Sequence, residues 1–67
     1  MNVNEEIEYI NNLKNRFLHT LMTINNKTFY VKNIYGRYVG HKYLTFFCGR
    51  DDNDNFVEEY FEELYLE

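Results

Sequence analysis

The spacing of apolar residues changes period once along this chain, near residue 20, and that switch constrains the fold more than any motif does. Val3, Ile7, Ile10, Leu13, Phe17 and Leu21 recur at three- and four-residue intervals, which puts them on one face of an α-helix. The pattern predicts a helix from about Glu5 to Leu18 or Leu21. Asn2 or Asn4 can cap its start, and Glu5, Glu6 and Glu8 sit where the helix dipole favours anions. Lys14 and Arg16 fall later, where cations are favoured.

From Thr20 to Gly49 the helical period is lost. Thr28 to Tyr35 and Tyr43 to Cys48 are rich in β-branched and aromatic residues, and Gly36 and Gly40 punctuate the shorter run Arg37-Tyr38-Val39. Asn25-Asn26 is a two-residue turn, since Asn tolerates positive φ. These signals predict three antiparallel strands, with a fourth if Leu21 to Ile24 extends rather than coils. After a loop at Asp51 to Asn55, helical spacing returns from Phe56 to Leu66. Phe56, Val57, Tyr60, Phe61 and Leu64 lie on one broad face, and Asn55 followed by Glu58 fits a helix start. The expected fold is α+β, ordered α-β-β-β-α, with an acidic amphipathic helix at the C-terminus.

A chain of 67 residues forms one domain, residues 1–67, whose core covers a modest share of its surface. Cys48 is the sole cysteine, so a disulfide within the chain cannot reinforce that core. Aromatic bulk can: 6 Phe and 7 Tyr each bury a large area. Sharing a core with a second copy is the other route, which makes a structural homodimer one reading. The lone cysteine, the lack of a signal-peptide pattern and the lack of a membrane-length apolar run predict a cytoplasmic protein with no membrane partner.

Charge is divided unevenly along the chain. Residues 1–50 hold seven bases (Lys14, Arg16, Lys27, Lys32, Arg37, Lys42, Arg50) against three acids, a net of +4, while residues 51–67 hold eight acids and no base, a net of −8. On the expected helix, Glu58, Glu59, Glu62 and Glu63 gather opposite the aromatic stripe. Pairs one turn apart repel by a few tenths of a kcal/mol, so the arrangement costs local stability. A solvated acidic face, or docking against the bases of the chain's own sheet, would account for it. A partner with a basic surface is the sharper account, because phosphates along one strand advance about 3.4 Å each and a row of carboxylates can occupy their places. Asp51, Asp52, Asp54, Glu58, Glu59, Glu62 and Glu63, with Tyr60 and Tyr65 at the rim, are the candidate partner-binding residues.

The chain has no Ala, Ser, Gln, Pro or Trp and is rich in Asn, Tyr, Phe, Ile and Lys. In this respect it resembles small accessory proteins of phages and mobile elements in AT-rich bacteria. The resemblance implies an inhibitor that redirects a host system, such as a nuclease or defence complex, in the manner of an anti-CRISPR protein or a DNA mimic.

A second reading starts from the sheet, where Lys27, Lys32, Arg37, Tyr38 and Lys42 interleave with further rings. Cations beside aromatics hold single-stranded nucleic acid by phosphate contact and stacking. The overall net charge of −4 argues against it. Asp51, Asn53, Asn55 and Glu62 match part of a calcium-loop pattern, but Phe56 stands where Gly makes the sharp turn. His19 and His41 have no zinc-type spacing with Cys48, and without serine no serine nucleophile exists. The expectation is a binding protein with no catalytic residue, metal or cofactor.

Overall fold

The computed structural model describes residues 2–62, with Glu62 described through its backbone alone. The elements are α1 (Val3–Phe17), β1 (Leu21–Ile24), β2 (Lys27–Val39), β3 (Lys42–Arg50) and β4 (Phe56–Glu62). Helix α1 starts where the capping residues place it. Asn2 Oδ1 accepts from the Glu5 N–H at 2.9 Å, and Glu5 Oε1 accepts from the Asn2 N–H at 3.1 Å, a reciprocal capping box. Lys14 and Arg16 lie in its last turn. The helix ends at Phe17, and Leu21 opens β1 instead of prolonging it.

The four strands form one antiparallel sheet in the order β1-β2-β3-β4. Asn25 and Asn26 make the first turn with φ of 53° and 67°, the left-handed pair that matches strand twist in a tight hairpin. Leu21–Ile24 is therefore extended and forms the edge strand of the sheet beside β2. Gly36 does not interrupt β2. It is needed within the strand because a Cβ there would collide with the Tyr43 hydroxyl lying over it. Between Val31 and Asn33 the register with β3 shifts by a bulge at Lys32. Gly49 lies opposite, where any side chain would strike the Tyr30 carbonyl. The bulge strengthens the bend of β2. The tip of the β1–β2 hairpin then reaches the last strand: Asn25 Nδ2 donates to Glu59 Oε1 at 3.1 Å and to the Tyr60 carbonyl at 3.3 Å. The sheet is curled rather than flat.

Over residues 56–62 the expected C-terminal helix is not formed, and the rest of that expectation, residues 63–66, lies outside the described residues. Residues 56–62 are strand β4, paired with β3 from Arg50↔Phe56 to Leu44↔Glu62. The physical reason lies in both partners. As a helix the segment would set Glu58 against Glu62 one turn away, whereas as a strand it supplies the backbone groups that the outer side of β3 needs. Phe, Val and Tyr favour the pleated surface. The turn Asp51–Asn55 fixes the register: the Asp51 carboxylate accepts from the Asn53 and Asn55 N–H groups, each at 2.9 Å, and the Asp51 N–H donates to the Asn55 carbonyl at 3.0 Å.

The core lies between α1 and the concave side of the sheet. Phe29, Val31, Ile34 and Phe47 are fully buried there, with Ile10, Leu13, Phe17 and Leu18 from the helix side and Met22, Ile24, Val57 and Phe61 from the flanking strands. Phe47 is central, its ring 6.2 Å from Phe17 and 5.5 Å from Phe61. Among the described residues no helix is long and apolar enough to cross a membrane.

Candidate functional site

Side chains alternate across a strand, so the register assigns every residue to the helix side or to the open, convex side of the sheet. The open side of β2 and β3 presents Tyr30, Tyr35, Arg37, Leu44, Phe46, Cys48 and Arg50. That of β4 presents Phe56, Glu58 and Tyr60. Among the described residues no element packs over this face, yet Phe46 is only 7 % exposed. Its cover comes from its own neighbours. Tyr35 stacks on it at 5.0 Å with 4° between planes, Tyr60 leans on it at 5.3 Å, and the Arg37 guanidinium lies 5.1 Å above the ring. Phe46 is thus the floor of an aromatic cluster whose upper member Tyr60 is 50 % exposed, and further along β4 Phe56 is 61 % exposed.

Two further cations sit over rings on this side, Lys32 over Tyr30 at 5.6 Å and Arg50 over Phe56 at 5.9 Å. Lys42 pairs with Val39 at the hairpin end and shares the open face by register. The Tyr35 hydroxyl donates to the Glu58 carboxylate across the width of β3. That bond holds the phenol proton and raises the Tyr35 pKa above its ordinary value. Burial, and then the Glu58 charge, raise the Cys48 thiol, and its sulfur lies 3.7 Å from the Asn33 carbonyl. The thiol is therefore the protonated, poorly nucleophilic form near neutrality.

The expected sites are redistributed by this geometry. Glu58 and Glu59, neighbours on the expected helix face, stand on opposite sides of β4: Glu58 on the open face, Glu59 turned to Asn25. Glu62 occupies an open-face register position, four residues from Glu58 or roughly 13 Å along a strand, instead of one helical turn away. The close row of carboxylates is thereby dissolved. Asp51 is occupied in its own turn, while Asp52 and Asp54 are exposed on it. Tyr60 is exposed on the open face; Glu63 and Tyr65 lie outside the described residues.

The alternative set also divides. Lys32, Arg37 and Lys42 belong to the open side. Tyr38 pairs with Tyr43 on the helix side, where its hydroxyl donates to Glu6 of α1 at 2.8 Å, and Lys27 follows the β1–β2 turn opposite Ile24. Phe46, Arg50 and Phe56 were absent from both expected sets. Alternation through Leu44, Phe46, Cys48 and Arg50 was the signal for the first two; Phe56 was masked by its fit to a helical stripe.

Among the described residues no three His, Cys, Asp or Glu side chains are grouped to hold a metal ion. His19 adopts a left-handed φ of 66° beyond α1, its ring 6.4 Å from Tyr30, and His41 lies in the β2–β3 turn. No known family model, curated protein or solved structure matches the chain.

Proposed function

We propose that this chain is a small cytoplasmic protein-binding protein, of the inhibitor kind that phages and mobile elements encode. It presents β4 and the β3–β4 turn to a larger protein whose basic surface ordinarily holds nucleic acid. The observation that carries the reading is the pairing of exposed rings with exposed acids on one short segment. Phe56 and Tyr60 are 61 % and 50 % exposed, with Glu58 between them on the open face and Asp52 and Asp54 on the adjoining turn. Large rings surrounded by charge supply most of the affinity in protein interfaces, and carboxylates steer the approach to a basic partner. The net charge of −8 in residues 51–67 gives the segment a field of the required sign.

The acids act here as a sparse flank to an aromatic anchor. A row of carboxylates standing in for successive phosphates has no place in the reading, because β4 separates Glu58 from Glu59.

The test is capture from a bacterial lysate with the tagged wild-type chain and with a Phe56→Ala, Asp52→Lys variant, each checked for an unchanged melting temperature. A nucleic-acid-binding protein retained by the wild type, lost by the variant, and prevented from binding its nucleic acid while captured is the expected result. An identical set of proteins retained by both chains sinks the reading, as does a captured protein that still binds nucleic acid normally.

A further inference from the structure

The proposed partner surface uses β4 and its turn and leaves unexplained why cations are stacked over rings on β2 and β3. Lys32 lies over Tyr30, Arg37 over Phe46 beside Tyr35, and Arg50 over Phe56 at the border with β4. The Tyr30 ring is 42 % exposed. Beyond Tyr30, no strand among the described residues pairs with the β1 side of β2. The strip therefore combines flat rings reachable from solvent with positive charge held close to them.

We propose that this strip binds single-stranded nucleic acid, its bases stacking on Tyr30 and Tyr35 and its phosphates meeting Lys32, Arg37 and Arg50. Base–ring stacking and backbone neutralisation together hold single strands without sequence readout. A duplex keeps its base faces stacked inside and offers the rings nothing.

The overall charge of −4 opposes a polyanion, and its distribution decides the matter. Glu5, Glu6 and Glu8 are on α1, across the sheet and a layer away, about 10 Å, beyond the screening length of about 8 Å at physiological salt. Glu58 is the one carboxylate whose described side chain shares the open face of the strands, against the four bases Lys32, Arg37, Lys42 and Arg50, and it is bonded to Tyr35. The strip is locally cationic, so binding is weak and strongly salt-dependent. The strip adjoins the partner surface, and a strand held here and a protein held at Phe56 meet at Arg50 and at the Tyr35–Glu58 hydrogen bond.

The experiment is fluorescence anisotropy with a labelled oligothymidylate of about twelve nucleotides, a length suited to small single-strand sites. The wild type is expected to bind at low salt, and affinity should fall roughly twentyfold when salt is raised about fourfold, the dependence for three phosphates neutralised on a single strand. Lys32→Gln with Arg37→Gln should weaken binding about tenfold or more, as should Tyr30→Ala. Gln replaces the charges conservatively, and melting curves verify that each variant is folded. Asp52→Lys alone, on the β3–β4 turn of the partner surface and outside the strip's rings, should bind the oligonucleotide at least as tightly as the wild type, which separates this site from the partner surface. No binding at low salt overturns the proposal. So does equal binding by the Gln variant or equal affinity for a duplex of the same length.

Discussion

Two segments of this chain carry nearly the same sequence arithmetic and fold in opposite ways. Residues 3–17 and 56–62 both space apolar side chains at helical intervals, and both carry acids near a polar residue able to cap a helix. The first is α1 and the second is β4. The first carries its own stop and start: a reciprocal cap at Asn2, acids in the first turn and bases in the last. The second has acids throughout and no base to offset the dipole at its end. Helical spacing therefore decides the outcome in neither; the local charge pattern breaks the tie in one, and an unpaired neighbour breaks it in the other.

The largest effect should come where both segments meet. Phe47 packs on Phe17 of α1 and on Phe61 of β4. Phe47→Ala should cost about 3–5 kcal/mol, comparable with the whole stability of a domain this small, roughly 3–5 kcal/mol. Loss of a cooperative thermal transition is the expected result. A variant melting within a few degrees of the wild type would mean that the two segments do not share one core.

Proline tests the comparison directly. At Val3, the first helical residue after the cap, Val3→Pro removes an N–H that has no partner within the helix, and stability should hardly change. At Glu59, which pairs with Phe47, Glu59→Pro deletes a ladder donor within the strand and should cost about 1–3 kcal/mol. Denaturant titration of the two variants measures the difference. Equal losses would deny that one site is a helix start and the other a strand interior. Asn2→Ala follows with a smaller loss, about 1 kcal/mol, from removing the cap.

How much of this was legible beforehand follows from where each decision is made. The capping box, the Asn25-Asn26 turn and the swap from period 3.6 to strand-rich composition are local, so α1 and the central hairpins were readable from residue types. Gly36 looked like a break because its role depends on Tyr43, seven residues away and across a turn, pressing on it. For β4 the deciding fact is the vacant side of β3, which no window of residues around Phe56 contains. In the candidate site, exposure and grouping were legible to different degrees. Asp52, Asp54, Glu58 and Tyr60 kept their exposure whichever element carried them, whereas the grouping of Glu58 with Glu59 was a property of the wrong period. Strict alternation from Lys32 would put Tyr38 on its side and Arg37 on the other; the bulge at Lys32 reverses both, bringing Arg37 to the open side and Tyr38 against α1.

One pair of hydrogen bonds repeats the comparison on a finer scale. The Tyr38 hydroxyl ties β2 to Glu6 of α1, and the Tyr35 hydroxyl ties β2 to Glu58 of β4. In each the carboxylate holds the phenol proton, so both tyrosines titrate above the ordinary value of 10.0. The sign of the linkage follows. A folded-state pKa above the unfolded one gives a contribution that is complete below pH 10 and disappears as pH rises through the raised folded value. Both side chains reach solvent, so screening keeps the contribution small. Glu58→Gln should return the Tyr35 midpoint toward the ordinary phenol range and leave Tyr38 where it is, with Glu6→Gln doing the converse. NMR titration of the ring signals resolves the two. Movement of both midpoints in either variant would show that α1 and β4 communicate through β2, and that the two segments differ in conformation without being independent.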